Sequence, residues 1–103
     1  MTEDFHKVAQ RGIIVMSRHA EVRRIKRGIP LEVIHQTLSK FDIVEEYPES
    51  YPLPAMLLFG LWEDSPLHIV AGFDLEREIV YIITIYMPDS EHFESDWRTR
   101  RND

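Results

Sequence analysis

Residues 78–88, Glu-Ile-Val-Tyr-Ile-Ile-Thr-Ile-Tyr-Met-Pro, constrain the fold of this chain more than any other stretch. Its β-branched and aromatic residues suit a strand and disfavour a surface helix. Ile79, Tyr81, Ile83 and Ile85 point to one side, and Val80, Ile82, Thr84 and Tyr86 to the other. Both sets are largely apolar, so the strand belongs inside a sheet and not at its edge. The even face turns polar only at Thr84 and Tyr86. A polar end on a buried strand is where a site is expected.

The rest of the chain reads as helices followed by an antiparallel meander. Thr2 can cap a short helix with Glu3 and Asp4 in its first turn, where the dipole favours acidic groups. Phe5, Val8 and Ala9 form its apolar face, and Gly12 ends it. Ile13 to Met16 is a short extended run. Ser17 reads as the N-cap of a second helix with Val22 and Ile25 inward, closed by Gly28. Arg23, Arg24, Lys26 and Arg27 lie mainly outward on it. Pro30 opens a third helix whose face is Leu31, Ile34, Leu38 and Phe41. From Asp42 the period becomes two. Strands are predicted at 42–47, 55–62, 67–74 and 78–87, with a proline-rich loop at 48–54 and tight turns at 63–66 and 75–77. Asp89 and Ser90 can cap a final short helix or tail containing Phe93 and Trp97.

Matching the largest apolar sets puts Leu57, Phe59 and Leu61 with Leu67, Ile69, Ala71 and Phe73, and with the odd face of 78–88, against the helices. The opposite face then collects Met56, Leu58, Gly60, Trp62, His68, Val70, Gly72, Val80, Ile82, Thr84 and Tyr86. His68 and Thr84 fall nearly opposite one another across a hairpin.

At 103 residues the chain is one domain, and its 44% hydrophobic and 29% charged content is that of a soluble globular protein. The longest apolar runs are strand-sized, too short for a bilayer. The acidic start is not a signal peptide, so a cytoplasmic location without membrane association is expected. The absence of cysteine excludes disulfides and thiolate chemistry. Residues 1–50 carry eight Lys/Arg and eight Asp/Glu, and residues 51–103 carry four and ten, giving 0 plus −6. The whole molecule therefore lacks the basic footprint of a nonspecific nucleic-acid binder, but a local basic patch remains at residues 18–27.

Ser17-Arg18-His19 is the sharpest local feature. The helix start attracts anions, Arg18 supplies a planar donor fork suited to phosphate, and a neutral His19 can act as general base. His68, Thr84 and Tyr86 could supply a proton and hydroxyl donors. Trp62 could stack on a base. Each group also has a plain structural reading: a packed imidazole, a satisfied sheet face, a solvated basic helix. His6, His35 and His92 lack helical metal-ligand spacing, and there is no glycine-rich phosphate loop, so neither a metal nor a nucleotide cofactor is expected.

Ser17-Arg18-His19-Ala20 with Arg27-Gly28-Ile29, then Pro66-Leu67-His68-Ile69-Val70 and Thr84-Ile85-Tyr86-Met87-Pro88, resemble a family named domain of unknown function 4258. The likeness takes in a core at residues 10–90 and leaves 91–103 as a tail. That family looks like a distant branch of the RelE-like and barnase-like α+β fold, which implies two to three N-terminal helices on one face of a four-stranded antiparallel meander. Many proteins of that fold are metal-free ribonuclease toxins, and some members of the family occur as toxin modules. The resemblance implies a catalytic set of His19, Arg18, His68 and Thr84, to which the reading of the residues adds Arg23, Tyr86, Trp62 and Ser17 as substrate-binding candidates. RNA or the ribosome, a cognate antitoxin or a second copy of the chain are the implied partners. A noncatalytic protein-binding or dimerisation module is the alternative.

Overall fold

The structure, a computed structural model, describes residues 2–102, with side chains from Asp4 onward, so the expected Thr2 cap lies outside it. The helices are α1 (Thr2–Arg11), α2 (Arg18–Arg27) and α3 (Leu31–Ser39). The strands are β1 (Ile13–Met16), β2 (Asp42–Tyr47), β3 (Ala55–Trp62), β4 (Ser65–Asp74) and β5 (Ile79–Tyr86). They form one sheet in the order β1-β5-β4-β3-β2. β5 is flanked on both sides, as its two apolar faces require. No helix of the described residues is long and apolar enough to cross a membrane.

The expected four-stranded antiparallel sheet is instead five-stranded and mixed. β1 runs parallel to β5, with Ile13 opposite Ile79 and Met16 opposite Ile82. A parallel neighbour sits far away in sequence and leaves no turn signature beside it. Gly12 makes the approach possible: a Cβ there would overlap the carbonyl oxygens of Glu78 and Val8.

The expected register is also corrected. The β3–β4 turn is the two-residue Glu63-Asp64, both with positive φ, as a type I′ turn requires. A two-residue turn pairs even positions of β3 with odd positions of β4: Met56 with Ala71, Leu58 with Ile69. Met56, Leu58 and Trp62 therefore pack toward the helices, while Leu57, Phe59 and Leu61 turn to the outer face. On β5 a bulge intervenes, since Ala71 pairs with Ile82 but Val70 with Thr84. The inward set is thus Val80 and Ile82 before the bulge and Ile85 after it. Tyr81, Ile83, Thr84 and Tyr86 share the outer face. The apolar content of both faces left the phase open, and turn length and bulge decided it.

The core lies between the inner face and α1 and α3, where Val8, Ile34, Leu38, Leu58, Ile69 and Ile82 are buried. On α3 the packed face is Val33, Ile34, Thr37 and Leu38, with Leu31 exposed. α2 lies along the edge of the sheet, beyond the end of the short β1. Only its small Ala20 is buried, and Val22 and Ile25 are 44% and 63% exposed, contrary to the inward placement expected for them. Residues 88–102 form an irregular strap and not a helix.

Candidate functional site

α2 is set in place by Ser17. Its hydroxyl accepts from the Ala20 N–H at 3.0 Å and donates to the Ile83 carbonyl at 2.8 Å, while its N–H bonds the Ile82 carbonyl. The cap that starts the helix therefore also ties it to the bulge of β5. Gly28, at φ 69, ends the helix in the left-handed conformation, and the N–H there returns to the Ile25 carbonyl at 3.1 Å. This fixes His19 one turn above the sheet, with its Nε2 3.0 Å from the Thr84 hydroxyl oxygen. His19 is exposed and Thr84 half-buried, so solvent reaches the pair. Two of the sequence-predicted site residues, 65 positions apart, meet at this edge.

The cations around the pair follow the helix. His19, Val22, Arg23, Lys26 and Arg27 line a shallow groove of about 360 Å³. Among the described residues Arg18, Arg23, Lys26 and Arg27 make no ion pair, and Arg24 is taken by Glu21. The arginines of the strap are all neutralised: Arg98 by Asp42, Arg100 by Glu45 and Arg101 by Glu94. The free positive charge near the pair thus belongs to α2, although the chain as a whole is acidic. Lys26 and Arg27, left out of the expected site, share the groove. Their i+7 and i+8 spacing from His19 was the available signal.

His68 lies elsewhere. It is fully buried and held by two hydrogen bonds. Its Nε2 lies 2.6 Å from the Trp97 carbonyl, which can only accept, so Nε2 carries the proton. In the neutral ring Nδ1 then accepts from the Tyr86 hydroxyl at 3.1 Å. Burial pushes its pKa down, against the pull of the Trp97 carbonyl. The strap seals it. Phe93, 2% exposed, meets the imidazole edge-on with centroids 4.7 Å apart. Arg98 lies 4.0 Å over the Phe59 ring and Arg100 4.9 Å over Phe93. The Arg100 guanidinium holds the Glu45 carboxyl below its usual range, and Tyr47 donates to the same carboxylate. His68 and Tyr86 thus clasp the strap and do not line the open edge.

Ser17 positions α2, and Arg18 and Arg23 are exposed on it. Trp62 packs at the margin of the inner core, so it shares no face with Tyr86. Asp89, Glu91 and His92 lie together at the start of the strap, a trio the spacing argument did not anticipate. The Asp89 carboxylate there already accepts from the Glu91 and His92 N–H groups and from the His92 ring.

The fold and the site define a small α+β domain whose helix-covered sheet presents a polar, cation-lined edge beside β5. The chain belongs to the family described as domain of unknown function (DUF4258), whose model matches residues 16–87. The match runs from the last residue of β1 to just past β5. It contains His19, His68 and Thr84 and leaves α1 and the strap outside. No curated protein and no solved structure matches the chain. The RelE-like and barnase-like kinship therefore rests on the sequence resemblance alone.

Proposed function

We propose that this domain binds single-stranded RNA along α2 and cleaves it at the His19–Thr84 pair. The observation that carries this reading is the solvent-reachable 3.0 Å contact between the two side chains, at the head of a helix whose Arg18, Arg23, Lys26 and Arg27 make no ion pair among the described residues. His19, Arg23 and Arg27 recur every fourth residue, a rise of about 6 Å per step, comparable with the distance between successive phosphates on an extended strand. With Nε2–H donating to the Thr84 hydroxyl oxygen, Nδ1 is left as the free acceptor. It would take the proton of a ribose 2′-hydroxyl. The 2′-oxygen then bonds to phosphorus as the bond to the 5′-oxygen breaks, and that leaving oxygen takes a proton from water. The products are a 2′,3′-cyclic phosphate and a 5′-hydroxyl. Arg18 would stabilise the charge that builds on the phosphoryl oxygens. His68, sealed under the strap, has no part in this step, which distinguishes the scheme from a two-histidine mechanism.

The test is incubation of the purified chain with single-stranded RNA, followed by analysis of the new ends. Cyclic phosphate ends are expected, with the rate lowered about 10²-fold or more in His19→Ala, the scale of general base catalysis. Intact RNA, or cleavage indifferent to His19→Ala, would overturn the catalytic reading. A second reading is favoured by the apolar side chains on the same flank, Ile13 at 65% and Ile25 at 63% exposed. On it the domain is a noncatalytic module that docks a partner or a second copy through α2 and β1. Intact RNA together with a dimer in sedimentation, lost in Ile25→Glu, would favour it.

A further inference from the structure

The strap covers the outer face around Phe59, His68 and Glu45. Toward Gly72, Tyr81 and Ile83 a groove remains, bounded by the proline-rich loop at 48–54. Between loop and sheet lies a groove of about 410 Å³, lined chiefly by Tyr51, Leu53, Gly72, Arg77, Tyr81 and Ile83. Three features need explaining. Tyr51 is 94% exposed, an aromatic ring held out in solvent with no packing role. Ile83 is 42% exposed because the β5 bulge turns it outward. Gly72, paired with Tyr81, leaves the floor bare, although a Cβ there would meet only ordinary contacts, Ile83 Cδ1 at 3.5 Å and Leu53 Cβ at 3.9 Å. The fold does not need that glycine for space, so the hollow is not a packing constraint.

We propose that this groove is a base-binding subsite: a purine or pyrimidine ring lies on the bare floor at Gly72 and stacks against Tyr51 and Tyr81. The groove has the volume of a small-molecule site and mainly apolar walls, with Asp74 and Arg77 among its lining to meet the donors and acceptors of a polar ring edge. Aromatic faces bind every base, so such a subsite suits single strands of any sequence. The occupant follows from position. Ile83 lines the groove and adjoins Thr84, and Tyr81 stands three residues before Thr84, about 10 Å along the strand. A nucleotide whose phosphate sits at His19–Thr84 can therefore place its own base, or its neighbour's, in the groove. The choice of RNA as the larger ligand rests on the proposed function. The groove itself makes a separate claim, that it accepts a base with no phosphate attached.

Adenosine, which carries the ring and no phosphate, separates the two. Titrated into the isotope-labelled full chain, it should shift the Ile83 methyl and Gly72 amide resonances. Gly72→Val, which fills the floor with a strand-favouring side chain, and Tyr51→Ala should abolish those shifts and leave the rest of the spectrum folded. Tyr51→Ala should also weaken single-stranded RNA binding about tenfold, as loss of one stack does, while inorganic polyphosphate binding stays unchanged. Absence of shifts at the groove overturns the subsite, even where Arg23→Ala and Arg27→Ala still weaken RNA binding. Groove shifts with adenosine but no effect of Arg23→Ala on RNA keep the subsite and overturn the phosphate track. Tighter binding of indole than of adenosine, with RNA affinity indifferent to Tyr51→Ala, assigns the groove to a peptide side chain and also overturns it.

Discussion

At the scale of single residues, two histidines are set apart by their surroundings. His19 is exposed and meets one hydroxyl, whereas His68 is buried between a carbonyl and a phenol. On the proposed scheme Thr84 orients His19 and does not itself react, so Thr84→Val should lower the RNA cleavage rate roughly 2- to 10-fold, the equivalent of about 1 kcal/mol for one hydrogen bond. Binding of uncleavable RNA should be nearly unchanged. His68 predicts a pH effect of fixed sign. Its folded pKa lies below its ordinary value, so the unfolded chain binds more protons and stability falls as pH drops below about 6.5. The fall continues until the folded pKa is passed. Thermal melts between pH 7 and 5 should show it, and His68→Gln, less stable throughout, should show a flatter slope in that window. Glu45, Asp89 and Asp96, all with lowered pKa and Asp96 at about 2, add acid sensitivity only at lower pH. The meeting of His19 with Thr84 was legible in the sequence as two polar marks, one at a helix start and one at a strand end. The burial of His68 was not. It depends on an irregular strap of turns and bends, of which the helix-like Asp-Ser start at residues 89–90 gave no sign.

At the scale of elements, the bulge in β5 and the cap on α2 are one device. Ser17 satisfies a helix N–H with one lone pair and donates its proton to the Ile83 carbonyl at the bulge. Ser17→Ala should therefore cost about 1 kcal/mol or somewhat more, the cap's usual contribution, in chemical denaturation. It should also lower cleavage more than that loss explains, because α2 would shift against Thr84. Element positions were largely readable: β2 and β3 fall where the period-two pattern places them, and the tight turns lie where the polar breaks stand. Which face each strand presents was not, because β3, β4 and β5 are apolar on both faces. Hydrophobic matching then gives two near-equivalent registers, and the two-residue Glu63-Asp64 turn selects between them. The inward reading of Val22 and Ile25 failed for a related reason. Helical period marks a stripe, but not whether a sheet lies beneath it, and here β1 is too short to carry α2 over the sheet.

At the scale of the whole molecule, charge is sorted by pairing. The strap arginines are held in ion pairs with Asp42 and Glu45 of β2 and with Glu94 of the strap itself, which leaves α2 as a cationic edge on a chain of net charge −6. Net charge alone argues against RNA, and the proposed RNA track rests on the local cationic edge that the pairing pattern leaves. The direct measurement is the dependence of single-stranded RNA affinity on salt, for the wild-type chain and for Arg23→Ala/Arg27→Ala. Each lost phosphate contact should reduce the log–log slope by about 0.7 on a single strand, so the double variant should lose about 1.4 and bind more weakly at low salt. A slope unaltered by the two substitutions, or an affinity with no salt dependence at all, would contradict the placement of the phosphate track on α2.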